Sequence, residues 1–103
     1  KYRNGAQPEG ARRTLFNRLQ RYETPGAEIA YEAYFELADE LGISPATMAL
    51  AFVNSRQFLT SNIIGATTMA QLKECLDSAN VTLSEEALKR IDEIHHLHMN
   101  PCP

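Results

Sequence analysis

From Glu28 to Leu41 the apolar residues Ala30, Tyr34, Leu37, Ala38 and Leu41 recur at helical spacing, while Glu28, Glu32, Glu36, Asp39 and Glu40 take the intervening positions. The pattern predicts an amphipathic helix with one buried stripe and one solvated acidic face. Gly42 follows as a residue that tolerates positive φ and closes the helix. Ser44 then offers a cap to a second helix, with Pro45 at its first position, where a missing N–H costs nothing. This second helix is expected to reach about Ser55. Met48-Ala49-Leu50-Ala51-Phe52-Val53 makes it apolar around much of its circumference, so it needs cover on more than one side.

After Arg56-Gln57 the run Phe58-Leu59-Thr60-Ser61-Asn62-Ile63-Ile64-Gly65-Ala66 is too short for a helix, and roughly residues 61–66 are read as a buried strand. Thr68 with Gln71 three residues later matches a capping box, and Leu72, Cys75, Leu76 and Ala79 supply the stripe of a helix over 68–79. A last helix, 84–98, opens at Ser84 with Glu85 and Glu86 in its first turn, where the dipole favours acids. Ala87, Leu88, Ile91 and Ile94 face inward until Pro101 forbids continuation. The fold class is therefore mainly α with one β-strand. A buried strand without neighbours leaves its backbone donors and acceptors unpaired, so partner strands are expected outside these residues, in a larger α/β protein.

Residues 1–27 differ from the rest. Asn4-Gly5, Pro8, Gly10 and Pro25-Gly26 are turn and breaker signals that predict a long loop, within which Leu15, Phe16, Leu19 and Tyr22 suit a short amphipathic turn docked on the body. Residues 1–26 carry six cations (Lys1, Arg3, Arg12, Arg13, Arg18, Arg21) against two acids (Glu9, Glu23), a net charge of +4. Residues 27–103 carry four cations against eleven acids, a net of −7. Such asymmetry suits a basic arm with an anionic partner, or a plainly solvated surface loop.

Composition narrows the classes. At 103 residues, 44% hydrophobic and 22% charged, the chain has the make-up of one globular domain and not of a disordered or collagenous segment. Its longest apolar run falls far short of the roughly 20 residues a membrane span requires. No secretory signal is expected, and Cys75 and Cys102 lack C-x-x-C spacing, which points to a reducing, cytoplasmic setting. Lys1 in place of Met suggests a processed, engineered or partial chain.

Three constellations bear on chemistry. Gly65-Ala66-Thr67-Thr68 puts a glycine and two hydroxyls where a strand feeds a helix N-terminus, a geometry that serves either as an anion site or as a well-capped turn. Leu37 to Met48 has the outline of a helix-turn-helix, but Ser44 to Val53 offers no Arg, Lys, Asn or Gln that could reach a base edge. His95, His96, His98 and Cys102 are zinc-type ligands, yet no fourth ligand is placed with comparable definition, and histidines also suit a helix C-terminus. No metal site is expected.

Gly65-Ala66-Thr67-Thr68-x-x-Gln71-Leu72-x-Glu74, then Leu83-Ser84 and a terminal helix, resembles the end of an aldo-keto reductase. Lys1-Tyr2-x-x-Gly5, Arg12, and Leu41-Gly42-Ile43-Ser44-Pro45-Ala46-x-Met48-Ala49-Leu50-Ala51-Phe52-Val53 occur in that family's order and spacing. The whole chain is most similar to the bacterial Tas-like branch, which is related to potassium-channel β subunits. The resemblance implies an NADP(H)-dependent (β/α)8 TIM barrel, an oxidoreductase that passes hydride to an aldehyde or ketone carbonyl. This chain would be its C-terminal part: 1–27 a basic loop covering the cofactor, 28–55 a helix pair, 61–66 the last barrel strand, 68–79 helix eight and 84–98 the C-terminal helix.

By the same resemblance Lys1 and Arg12 fall on cationic positions that contact the dinucleotide, Gly65 and Thr67 on the adenosine-phosphate turn, and Gln71 and Glu74 on the adenosine side of helix eight. Cys75 stands where the family commonly has Asn against adenine, which lowers the expected affinity for the base. Lys73 is the cation of that helix's opening turns, so a preference for NADPH over NADH is not set by this segment. The family's catalytic Tyr, Asp, Lys and His lie on earlier strands. Tyr2, Tyr22, Tyr31 and Tyr34 match none of those positions, so no catalytic residue is assigned and the isolated chain is expected to be inactive. Its expected partners are a nicotinamide dinucleotide and the remainder of the barrel, or a second copy joined through the orphan strand. The competing reading is a small helical interaction or helix-turn-helix DNA-binding module.

Overall fold

The computed structural model describes residues 3–16 and 22–102, with Arg3 and Arg12 described by their backbone alone. Lys1, Tyr2, Arg18, Leu19 and Arg21 lie outside the described residues. Among the described residues the chain forms α1 (Arg12–Phe16), α2 (Pro25–Glu40), α3 (Pro45–Asn54), α4 (Met69–Asp77) and α5 (Glu85–Leu97), with a short 3-10 turn at Ser78–Asn80.

The helix boundaries follow from local chemistry. Ser44 Oγ accepts from Thr47 N at 3.0 Å, Thr68 Oγ1 from Gln71 N at 3.2 Å, and Ser84 Oγ from Ala87 N at 3.1 Å, so α3, α4 and α5 each satisfy one orphan N–H of the first turn. α2 ends in a Schellman arrangement: Gly42 N donates to Asp39 O and Ile43 N to Ala38 O, both at 3.1 Å. Gly42 takes φ +67, which a β-carbon would make costly. Pro25-Gly26, read above as a loop break, instead opens α2. Proline at the first helical position has the right φ and lacks only an N–H that would have had no helical partner.

The core is small. Leu37 and Ala38 of α2, Met48 and Ala51 of α3, Leu83, and Ala87 and Ile91 of α5 form one buried cluster, with Tyr34, Ile43, Phe52, Val81, Leu88 and Ile94 packed against it. α2 contacts both α3 and α5, and α3 contacts α4 and the Ser78–Asn80 turn. At the surface Arg90 of α5 forks onto Glu40 of α2, with Nη2 3.3 Å from Oε1 and Nη1 bonded to Oε2. That hydrogen bond holds the Glu40 carboxyl below its usual range and raises Arg90. An exposed pair of this kind orients helices more than it stabilises them.

Two expectations are corrected. Residues 61–66 form no strand: the segment is coil, tied to α3 by Asn62 Nδ2 donating to Asn54 Oδ1 at 3.1 Å, with Ile63 95% and Ile64 37% exposed. A strand exists through its ladder, and among the described residues no second extended segment is placed to pair with it. Nor do the described members of the arm's expected amphipathic turn dock: Leu15, Phe16 and Tyr22 are exposed, and Ala11, just before α1, is buried. A smaller shift occurs in α4, where Leu72 and Cys75 are half-buried but Leu76 and Ala79 are exposed. The 3-10 turn winds 120° per residue instead of 100°, which brings Ser78 inward; its hydroxyl donates to Cys75 O at 2.6 Å.

A folded monomer of 11.5 kDa exposes about 5,800 Å². This chain exposes 7916 Å². The surplus includes Phe58 and Met69, both largely exposed on either side of the extended segment.

Candidate functional site

The segment from Gly65 into α4 is open to solvent throughout residues 63–70. Thr68 caps α4, and Gln71 folds back so that its Oε1 accepts from Thr67 N at 2.9 Å and from Thr67 Oγ1 at 3.0 Å. The sequence predicts the first bond of this box; the reach of Gln71 to Thr67, one residue before the cap, is a structural detail. The result is a main-chain N–H and a hydroxyl converging on one oxygen at the positive end of a helix. An anionic oxygen in the place of the amide would make the same two contacts.

Gly65 adds a second indication. Its backbone is not in the left-handed region, and a β-carbon built there meets nothing within 4 Å. Among the described residues nothing demands glycine at that position. A glycine leaves the backbone bare toward solvent, where another molecule can come close.

The remaining expected site residues divide. Glu74 is half-buried and accepts from Ser44 Oγ, the hydroxyl that also caps α3, so its carboxylate fastens α4 to α3. Cys75 is half-buried one residue further on, with a free thiol. Arg12 lies at the start of α1, its side chain outside the description, and Lys1 is outside the described residues altogether. Thus Gly65, Thr67 and Gln71 are brought together in one turn, and Glu74 is drawn off to a neighbouring helix. Pattern reading did not find the Ser44–Glu74 link, because its partners are thirty residues apart.

Arg56 was also unmarked. Its guanidinium carbon sits 4.1 Å from the centre of the Phe52 ring, a cation–π contact at the end of α3, while its Nε is buried without a hydrogen-bond partner.

The alternative chemistries receive little from the geometry. α3 would be the reading helix of a helix-turn-helix, but its Met48 and Ala51 are buried in the core it shares with α2 and α5. Among the described residues no group of three or more His, Cys, Asp or Glu is placed to hold a metal ion. His96 Nδ1 lies 2.8 Å from Asp92 O within α5, and Cys102 Sγ lies 2.8 Å from Tyr31 Oη. Burial first, and then the Cys102 contact, push the Tyr31 hydroxyl up to about 12. No helix among the described residues is long and apolar enough to cross a membrane.

Comparison with known proteins bears on this geometry. The model of the aldo/keto reductase family matches residues 1–96. The Protein tas of Escherichia coli (strain K12) is 46% identical over 103 residues, all of this chain and 30% of that protein. The "Uncharacterized oxidoreductase YrpG" of Bacillus subtilis is 35% identical over 63 residues, 61% of this chain and 19% of its own. A "Putative voltage-gated potassium channel subunit beta" of Schizosaccharomyces pombe is 31% identical over 101 residues, 91% of this chain and 29% of that protein. The chain therefore spans less than a third of the length of these relatives. With the family model covering nearly every residue from the basic arm to α5, the chain belongs to the aldo/keto reductase family.

Proposed function

We propose that this chain is the C-terminal, dinucleotide-binding segment of an NADP(H)-dependent aldo-keto reductase whose whole protein reduces aldehyde or ketone carbonyls in the cytoplasm. The observation that carries the reading is the Gly65–Gln71 turn, an exposed pair of converging donors at a helix N-terminus within a chain of this family. When bound, the reduced nicotinamide cofactor supplies the hydride. The residues of this chain bind and orient it.

In this reading Thr67 N–H and hydroxyl exchange the Gln71 amide for a phosphate oxygen, and the bare backbone at Gly65 lets the phosphate approach. Gln71, once released, turns its amide to the adenosine. Arg12 and Lys1 in the basic arm supply cations for the phosphates, with Arg12 able to fork onto two oxygens. Glu74 reaches the adenosine only by leaving Ser44, so its first role is to hold α4 on α3. Cys75 contributes little to adenine, because a thiol is a weak donor and acceptor.

The remainder of the barrel is the partner of the exposed apolar side chains. Ile63 and Ile64 lie in the segment proposed to become the last barrel strand once neighbouring strands are present, Phe58 and Met69 flank it, and the surplus surface of roughly 2,000 Å² matches what a substantial interface buries. In the isolated chain a second copy takes that place. The fission yeast relative is named a channel subunit, and association with other proteins is accordingly a property to look for in the whole protein.

Calorimetric titration with NADPH, repeated with NADH and with Arg12→Ala, tests the reading. Saturable NADPH binding that weakens in the variant is expected. Absence of heat at millimolar cofactor refutes autonomous dinucleotide binding by this segment.

A further inference from the structure

α2 begins without a side-chain cap, although a threonine stands at its N-cap position. Thr24 occupies the N-cap position with φ −77 and ψ 152, yet its side chain accepts no N–H from the first turn. Ser44, Thr68 and Ser84 do accept such a bond at α3, α4 and α5. The Thr24 hydroxyl is directed elsewhere: it donates to the carbonyl of Pro101, at the far end of the chain. Seven residues on, and therefore on the same face of the helix, the Tyr31 hydroxyl meets Cys102 Sγ at 2.8 Å. Asn100 turns the tail back with φ +50, and Pro101 and Cys102 are half-buried where they lie on α2.

The same end of α2 holds the basic arm. Glu23, next to Thr24, pairs with Arg13 of α1 at 2.8 Å. Tail, N-cap and arm thus form one series: Pro101 to Thr24, then Glu23 to Arg13.

We propose that residues 100–102 are a strap with two positions, one closed on Thr24 and Tyr31 that holds the basic arm in place, and one open in which Thr24 turns back to cap α2. The cap regained on opening offsets much of the bond lost, so neither position is strongly favoured and a modest perturbation shifts the balance. Resting on the reading that the arm covers the dinucleotide, the strap regulates cofactor release from that site.

Hydrogen–deuterium exchange on the 103-residue chain tests the strap. Thr24→Val, Cys102→Ala and a chain ending at Asn100 should each speed exchange at the arm amides Ala11 and Leu15, by about five-fold for each hydrogen bond removed, while Ala27, the amide a Thr24 cap receives, should slow in the two tail variants and speed in Thr24→Val. Thr24→Ser, which keeps the hydroxyl, should behave as wild type. The Met48 amide of α3 and the Leu88 amide in the first turn of α5, at the opposite end of that helix from the tail, report any loss of the fold as a whole. The chain ending at Asn100 removes no core side chain, so unchanged arm exchange in it overturns the proposal even if a point variant misfolds. NADPH dissociation measured in parallel separates the two readings. Tail-dependent arm exchange without NADPH binding supports the strap and refutes the cofactor reading; NADPH binding with tail-independent exchange does the reverse.

Discussion

Leu37 is the largest apolar side chain with no exposed surface, and it sits where α2, α3 and α5 meet. Leu37→Ala removes the branched end of that side chain and leaves a cavity among Met48, Ala51, Leu83, Ala87 and Ile91. Substitutions of this kind cost about 3–4 kcal/mol when neighbours relax only partly. The surrounding balance makes that loss severe. An unfolded chain of 11.5 kDa exposes about 16,700 Å², so at 7916 Å² this fold buries little more than half of it, below the two-thirds or so usual at this size. Its stability should lie near the bottom of the ordinary range, about 5 kcal/mol. Leu37→Ala should then leave about 1–2 kcal/mol and move the urea midpoint down by about 2 M. Ile29→Ala is the control: Ile29 is 61% exposed on the same helix and its truncation should stay within about 0.5 kcal/mol. Urea titration followed by circular dichroism at 222 nm decides the matter. A loss below about 1 kcal/mol at Leu37, or equal losses at the two positions, would refute the assignment of the core.

Three further outcomes are expected. Gly65→Ala should leave unfolding unchanged or raise it by up to about 1 kcal/mol, since the added carbon meets nothing, while lowering NADPH affinity about ten-fold; equal affinity by calorimetry would show that no ligand approaches there. Ile63→Asp should reduce self-association without changing monomer stability, because Ile63 is 95% exposed, and sedimentation velocity over a concentration series reads both the dimer and its loss. For Tyr31, a hydroxyl held near 12 in the fold against an ordinary value of 10 makes ionisation unfavourable to folding. Its contribution is therefore whole below pH 10 and falls away between 10 and 12, and Tyr31→Phe should flatten that part of the alkaline unfolding curve.

The helices were legible because their signals are satisfied within a few residues. Ser44-Pro45, Thr68 with Gln71, and Ser84 ahead of Glu85-Glu86 each close a hydrogen bond inside one turn, and Gly42 closes α2 through bonds to Ala38 and Asp39. Gly65 and Thr67 could be marked for the same reason, since a glycine and a hydroxyl at a helix entrance act through the adjacent backbone. Residues 61–66 read as a strand because a short apolar run is a local signal, but a strand forms only against a neighbour, and pairing is a property of two segments.

What depended on tertiary contact has partners far apart in the chain. Glu74 was marked for a ligand, and the fold joins it to Ser44; Thr24 stands at the N-cap of α2, and the fold gives its hydroxyl to Pro101. Tyr31 and Cys102 carried no signal in common until the tail returned along α2. Local composition thus determined where α3, α4 and α5 start, where α2 stops, and which turn could receive an anion. Which polar groups remain for a ligand, and which are consumed in joining one element to another, is decided only when packing brings distant side chains within hydrogen-bond reach, because a hydrogen bond acts over about 3 Å and not along the sequence.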